Sequence, residues 1–354
     1  MDRISQAWAT AADDHAPVRF ADACLRGASQ VMLQNNPVTG LLILAAIAWG
    51  AIRTGTGEVA VGALVGLLAG TGTALLLRVD VVSWRQGLFG FSPLLTGAAL
   101  PTFLAAKPLL WAYVVVGAAL TTVVTLALSN VLNSWAVPAL TFPFVLTSWF
   151  LLMGAYQFMR VGTGALSRPA LPVGTSPKLA HAPLTFEFLA TGTLKGVAQV
   201  FLIDDWISGA VILVALAVNS RAVALAAVLG SVVGTALALG LGAEATAIGK
   251  GLWGFNAVLT AIALGAVFYR PMPAVVVFTL LATITTVWVQ AALTTVLAPY
   301  GIPTLTGPFV VATWLFLLPK RHFAPIAHHK RQGDGTMLST TTITTATAAA
   351  AHGS

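Results

Sequence analysis

Long apolar stretches, separated by short polar breaks, dominate the chain between about residues 38 and 319. Several approach the ~20 consecutive apolar residues with which a helix crosses the hydrocarbon core of a bilayer. Their apolar positions are continuous rather than alternating, which excludes the pattern of an outer-membrane barrel. Ten stretches lie near 38–52, 58–77, 84–104, 107–132 and 137–159, and near 207–220, 222–242, 248–268, 272–296 and 302–319. We therefore predict an all-α polytopic membrane protein.

The composition also favours a chain that belongs in lipid. Hydrophobic residues make up 57% of the 354 residues and charged residues only 8%, whereas about 25% of a typical soluble domain is charged. The net charge is +7, but the basic side chains lie at the ends of apolar stretches and in the tail, as in membrane anchoring. We therefore expect a lipid bilayer as the environment and no nucleic-acid partner.

Residues that carry enzyme or metal chemistry are scarce. Cys24 is the single cysteine, which excludes an intrachain disulfide. The six histidines lie in predicted loops or tails, and we find no nucleophile motif, zinc-ligand motif or pair of catalytic acids. The predicted spans also lack the carboxylate relay of a proton-driven pump. We expect neither an enzyme nor a bound cofactor or metal.

Composition divides the chain into five segments. Residues 1–19 form a polar N-terminal tail without the basic-then-apolar order of a signal peptide. Residues 166–183 form a Pro-rich linker, and residues 323–354 form a Thr- and Ala-rich tail that we expect to be disordered. Between them lie two apolar regions, 20–165 and 184–322.

Three motifs occur twice along the chain, in the same order. GASQVMLQNNPVTG at 27–40 matches GVAQVFLIDDWISG at 196–209, GLFGFSPLLTG at 87–97 matches GLWGFNAVLTA at 251–261, and PALTFPF at 138–144 matches PTLTGPF at 303–309. The copies are 169, 164 and 165 residues apart. Near-constant spacing of three ordered motifs indicates two homologous halves.

The number of predicted spans suggests how the halves are related. Five spans per half is an odd number, so the second half must enter the membrane from the opposite face. Such inverted repeats place their substrate site at the repeat interface near mid-membrane. With both termini in the cytoplasm, inside loops hold ten basic residues and outside loops six, and this bias favours that orientation.

The third motif has a counterpart in a known family. Residues 137–144 and 302–309 resemble the duplicated Leu-Pro-x-x-Thr-x-Pro-Phe signature of the urea transporter family, with Val137 and Ile302 in place of the leading Leu. The resemblance covers about residues 20–320. It extends to the Gly-Leu-aromatic-Gly-Phe segments at 87–91 and 251–255 and to the Gln-Val segments at Gln30 and Gln199.

The resemblance implies a passive, channel-like urea pathway through each subunit of a homotrimer in the plasma or inner membrane. Each half would contribute five spans and one re-entrant helix, at about 22–35 and 191–204. The family often has Phe three positions after the Gln, where this chain has Leu33 and Leu202. Carried over residue by residue, the slot would be lined by Gln30, Val31, Leu33, Leu95 and Thr141, and by Gln199, Val200, Leu202, Leu259 and Thr306.

These residue types suit urea, which is planar and neutral, with four N–H donors and one good acceptor. An unpaired amide in an apolar environment costs several kcal/mol, so a slot must offer oxygens. Gln and Thr side chains supply them, as do carbonyls released where Pro interrupts a helix. Flat apolar side chains would wall the faces of the molecule.

Other interpretations stay open at this point. A Thr in a membrane helix commonly bonds its own backbone or a neighbouring helix, the two Gln residues could join helices, and the Leu residues could be core. A pore for another small neutral solute (a short-chain amide, ammonia or water) is the alternative function. Ammonia channels use paired pore histidines, which no predicted span contains, and Asn36-Pro37-Val38 only partly matches an aquaporin turn.

Polar residues before the first long span of each half predict helix N-caps: Asn35, Asn36, Asp204 and Asp205. Glycines with GxxxG spacing predict close helix packing at Gly66, Gly70, Gly230 and Gly234.

Overall fold

The computed structural model describes residues 3–164, 166–172, 174, 185–270 and 272–322. The predicted C-terminal tail (323–354) and residues 173 and 175–183 of the predicted linker lie outside the described residues. Within the described ranges the chain is helical and contains no strand, in agreement with the predicted all-α class.

The helices follow the predicted apolar stretches. In the first half they are α1 (Arg3–Asp14), α2 (Ala16–Gln30), α3 (Pro37–Thr54), α4 (Gly57–Leu76), α5 (Val81–Arg85), α6 (Phe91–Phe103), α7 (Pro108–Asn133) and α8 (Phe142–Ala155). In the second half they are α9 (Phe186–Ala198), α10 (Trp206–Asn219), α11 (Arg221–Gly240), α12 (Ala245–Gly249), α13 (Phe255–Ile262), α14 (Pro273–Leu297) and α15 (Gly307–Leu317). Each of the ten predicted stretches overlaps at least one of these helices.

Several helices have the length and composition of membrane spans. In the described residues α3, α4, α7, α11 and α14 are each long and apolar enough to cross a bilayer. Helix α9, with a 3-10 turn over Gln199–Phe201, meets α10 at 74° across a short break. Shorter apolar helices occupy Phe142–Ala155, Phe255–Val267 and Gly307–Lys320. The chain is thus a multi-pass membrane protein in which full-length spans accompany short and broken helices.

Two stretches predicted as continuous, 84–104 and 248–268, are broken. The chain turns between α5 and α6 and again between α12 and α13, where Gly87 and Gly251 have φ of 75° and 74°. A Cβ at these glycines would overlap the backbone of Gly27 and Gly196 respectively. Each stretch is interrupted because its turn admits the end of α2 or α9, and only glycine fits there.

The helices that begin each half start earlier than predicted. Instead of 22–35 and 191–204, α2 begins at Ala16 and α9 at Phe186. Pro17 stands in the first turn of α2, and the Thr185 side chain caps α9 by accepting from the Phe188 N–H, two signals that start a helix. The predicted N-terminal tail is itself largely helical, since it forms α1.

The N-cap prediction is confirmed for one residue of each pair. The Asn36 side chain accepts from the N–H groups of Val38 and Thr39, and the Asp205 carboxylate accepts from Ser208. Asn35 and Asp204 instead meet basic side chains, as described below.

Close packing at the GxxxG glycines is also confirmed. A Cβ at Gly66 or Gly70 would overlap Pro93, and at Gly230 or Gly234 it would fall within 3 Å of α13 or the turn before it. Helices α4 and α6 therefore cross closely, as do α11 and α13.

Helices α3 and α10 join the halves through matched bonds. The Thr39 hydroxyl donates to the Ala215 carbonyl at 2.9 Å, and the Ser208 hydroxyl donates to the Ala46 carbonyl at 2.8 Å. Ser208 and Ala215 stand 169 residues after Thr39 and Ala46. Each half therefore donates one hydrogen bond to the other half and accepts the equivalent one. Reciprocal contacts of this kind are the pattern of a two-fold relation.

Candidate functional site

The two signature threonines meet at the interface of the halves. The Thr141 and Thr306 hydroxyl oxygens are 2.7 Å apart, and both side chains are buried. Each Thr is the N-cap residue of a short helix, α8 or α15, yet neither makes a capping bond to its own helix. An N-cap Thr ordinarily accepts a bond from its own helix, whereas these two hydroxyls bond each other across the interface of the halves.

Left-handed backbone precedes both threonines. Leu140 has φ of 52° and Leu305 has φ of 51°, a conformation that costs a non-glycine residue about 1–2 kcal/mol. Such a conformation persists only where the surroundings enforce it. Its presence in both copies indicates that the turn before each Thr is part of the repeated architecture, and it explains why α8 and α15 begin later than the predicted stretches.

Two tryptophans brace these turns from the opposite half. The Trp149 indole N–H donates to the Pro303 carbonyl at 2.9 Å, and the Trp314 indole N–H donates to the Pro138 carbonyl at 2.8 Å. Trp314 and Pro303 lie 165 residues after Trp149 and Pro138. The carbonyls at the start of each signature are therefore held by the partner half.

The predicted glutamines lie at matched positions at the ends of α2 and α9. The Gln30 and Gln199 amide groups each donate at 3.0 Å to a carbonyl in the glycine turn of their own half, that of Gln86 or Lys250. Gln30 is fully buried, and its Oε1 has no hydrogen-bond partner among the described residues. An unpaired buried acceptor is costly and is suited to an N–H donor from a solute.

The residues after each Gln end the helix. Val31, Leu33 and Val200 are buried and Leu202 is partly so. Leu33 and Leu202 have φ of 58° and 59°, the left-handed geometry that terminates helices. The positions where Phe was expected from the resemblance thus carry Leu in a strained, helix-ending conformation.

The predicted leucines of α6 and α13 are fully buried. Leu95 and Leu259 belong to one hydrophobic cluster that draws on both halves, together with Val31, Leu33 and Val200, and Leu202 packs against it. All six predicted apolar slot residues therefore gather in one core.

Two further side chains pack in this cluster and were not predicted as slot residues from the sequence. Phe91 and Phe255 stand four residues before Leu95 and Leu259, hence on the same helix face. Phe91 belongs to the same cluster and Phe255 packs against it. The signal was the duplicated Gly-Phe pair in the second motif, which the expectation of Phe after each Gln obscured.

Charges near the glutamines are paired. The Arg26 guanidinium binds the Asp22 carboxylate at 2.7 Å and the Asn35 side chain at 2.8 Å. In the second half the Lys195 ammonium meets the Asp204 carboxylate at 2.8 Å. The ten predicted slot residues themselves carry no charge, and the charged side chains beside the two glutamines are paired with one another.

Comparisons with known proteins identify the family of this chain. The sequence model of a family described as "Urea transporter" matches residues 21–321. The chain is 31% identical to Urea transporter 1 of Rattus norvegicus over 315 residues, which cover 86% of this chain and 78% of the rat protein. It is 30% identical to Urea transporter 1 of Mus musculus and of Ovis aries, with the same coverage. This chain therefore belongs to the urea transporter family.

Proposed function

We propose that this protein conducts urea passively down its gradient, through a neutral, oxygen-lined slot between two inverted repeats. The observation that carries the proposal is the buried contact between the Thr141 and Thr306 hydroxyls. These two hydroxyls cap neither of their own helices, and at the point where the halves meet they keep acceptor lone pairs for a solute. The names of the matched relatives agree with urea as the substrate.

The oxygens replace the hydration shell of urea. Each Thr hydroxyl has two acceptor lone pairs, so each can accept an N–H from urea while the pair stays in contact. The two oxygens are too close for a solute to stand between them, so urea either parts them or passes along their open side. The unpaired Gln30 oxygen offers a further acceptor, and Gln199 takes the matched role in the other half.

Apolar side chains wall the flat faces of the molecule. We assign this role to Leu95 and Leu259, with Phe91 and Phe255 one turn away. Leu33 and Leu202 offer no aromatic face three positions after each Gln, and Phe91 and Phe255 then supply one from α6 and α13. The helix ends at Val31 and Leu33, and at Val200 and Leu202, border the slot on either side.

Neutrality explains why transport would be passive and selective against ions. An ion that lost its water in this slot would meet no fixed charge, and desolvation of an isolated charge costs far more than desolvation of an amide. Since none of the ten slot residues titrates near neutral pH, no proton coupling is available within the slot.

The proposed architecture follows the two-fold pattern of contacts. Residues 20–165 and 184–322 form inverted repeats, each with five spans and one re-entrant helix, α2 or α9. Both termini face the cytoplasm, and the subunits form a homotrimer in the cell membrane with one slot each. The reciprocal hydrogen bonds between α3 and α10, and those between the tryptophans and the prolines of the opposite half, support the two-fold relation.

Urea flux into liposomes tests the proposal. Purified protein is reconstituted, and stopped-flow light scattering follows shrinking and re-swelling under an inward urea gradient. We expect re-swelling faster than in empty liposomes. Kinetics equal to those of empty liposomes, with insertion verified, would overturn the proposal. Parallel runs with acetamide, ammonia and osmotic water flow test the alternative, which would be supported by faster permeation of one of these than of urea.

A further inference from the structure

Two buried side-chain amides form a hydrogen-bond network with the turn that carries Thr306. The Asn256 side chain, on α13, donates through Nδ2 to the Leu305 carbonyl at 3.2 Å and to the Gln290 Oε1 at 3.0 Å. Its Oδ1 accepts from the Phe309 N–H at 3.2 Å. The residue is fully buried, so these bonds form without competition from water.

Gln290, on α14, holds Asn256 in this orientation. The Gln290 Nε2 donates to the Leu252 carbonyl at 2.6 Å while its Oε1 accepts from Asn256. Each amide thus both donates and accepts, and a flip of either one would place two donors or two acceptors face to face. The network therefore has one satisfied arrangement.

These bonds take over the capping of α15. Phe309 is the third residue of that helix, and its N–H is one that an N-cap side chain ordinarily satisfies. Asn256 accepts from it instead, which leaves the Thr306 hydroxyl directed to Thr141. The same side chain holds the Leu305 carbonyl and so stabilises the left-handed turn.

We propose that Asn256 and Gln290 are positioning residues that fix the Thr306 hydroxyl in the slot by capping its helix in its place. The inference rests on the proposed function only for its effect on urea. The positioning itself is a property of the turn and can be measured without any solute.

The first half lacks this pair of amides. Ser92 and Thr125 occupy the positions that match Asn256 and Gln290. The Thr125 hydroxyl bonds the Thr121 carbonyl of its own helix, and the buried Ser92 hydroxyl has no hydrogen-bond partner among the described residues. The turn that carries Thr306 is therefore held by side-chain amides, and the matched turn at Thr141 has no such amide pair among the described residues.

Amide hydrogen exchange in lipid nanodiscs tests the positioning. We expect Asn256→Ser to raise exchange in the peptide over 304–310 and to leave the matched peptide over 139–145 unchanged. Ser92→Ala is the matched control and should change neither peptide. Unchanged exchange over 304–310 in Asn256→Ser would overturn the proposal, even if the wild-type protein conducts urea. Raised exchange would support it, even if the protein conducts no urea and the proposed function fails.

Urea flux separates positioning from a merely structural role. At equal amounts of folded, inserted protein, we expect Asn256→Ser to lower urea permeability about tenfold, the effect of losing roughly one buried hydrogen bond. In the Thr306→Val background the same change should have no further effect, because the hydroxyl that it positions is gone. A loss of equal size in both backgrounds would overturn the proposal, as would wild-type flux in Asn256→Ser.

Discussion

The two halves repeat their backbone more closely than their buried polar side chains. Left-handed Leu140 and Leu305 match to within a degree, and so do Leu33 and Leu202. The supporting groups differ, since amides surround Thr306 while the corresponding position near Thr141 holds an unpaired Ser92 hydroxyl. The repeat therefore conserves the geometry that brings the threonines together and leaves each half free to hold it by different means.

The same contrast appears beside the glutamines. The cap of α3 is the neutral Asn36, whereas the cap of α10 is the buried carboxylate of Asp205, with the Arg53 guanidinium at 3.7 Å. An identical helix start is stabilised by an amide in one half and by a charge in the other. Contacts made by the same residue type in both halves should thus respond equally to mutation, and matched positions with different polar side chains should respond unequally.

The largest expected effect concerns the glycines at which α3 crosses α2 and α10 crosses α9. A Cβ at Gly40 or Gly209 would overlap the carbonyl of Leu25 or Leu194. Because backbone cannot move aside cheaply, we expect Gly40→Ala and Gly209→Ala each to abolish the recovery of monodisperse protein in size-exclusion chromatography.

Gly72→Ala and Gly240→Ala are the controls for this prediction, one in each half. No atom lies within 4 Å of a Cβ built at either position, so both variants should be recovered like the wild type. Normal recovery of Gly209→Ala but not of Gly40→Ala would show that the halves do not share this crossing.

A smaller and equal effect is expected at the tryptophans that brace the opposite half. Trp149→Phe and Trp314→Phe each remove one indole N–H and leave the Pro303 or Pro138 carbonyl without that bond. Each variant should lower the free energy of unfolding by about 1–3 kcal/mol, measured in denaturant titrations in detergent. A difference beyond about 1 kcal/mol between the two would argue against a two-fold relation.

The smallest expected effect concerns Lys195, one of the two cations beside the glutamines. Lys195→Ala breaks a partly exposed pair with Asp204 and should change stability by no more than about 1 kcal/mol. Arg26→Ala should cost more, because it strips the buried Asp22 carboxylate of its guanidinium partner. Thermal unfolding of the two variants side by side measures the difference in stability. A larger loss of stability in Lys195→Ala than in Arg26→Ala would contradict this prediction.

Much of the helical framework could be predicted from the sequence because apolar runs report burial in lipid directly. The breaks before α6 and α13 could not, since they depend on Gly87 and Gly251, which have positive φ and leave no room for a Cβ beside residues far away in the chain. Left-handed leucines are likewise unpredictable from local preference, because Leu gains nothing from that conformation by itself.

The candidate site shows the strength and the limit of reasoning from repeats. Thr141 and Thr306 were singled out because they recur, and the structure brings them into contact. Asn256 was missed for the converse reason, since Ser92 stands at its matched position. A residue that serves one half alone leaves no duplicated signal, and only the folded chain reveals what it binds.

The most direct test of the proposed slot compares two kinds of buried Thr–Thr contact. Thr96 and Thr260 bond Thr121 and Thr286 at 2.9 Å within their own halves, so the double variant Thr96→Val/Thr260→Val removes buried hydroxyls without touching the interface. Thr141→Val/Thr306→Val removes those that we assign to urea. With equal insertion in liposomes, we predict urea permeability at least about tenfold below wild type for the second variant and near wild type for the first. Wild-type permeability in Thr141→Val/Thr306→Val would contradict the slot.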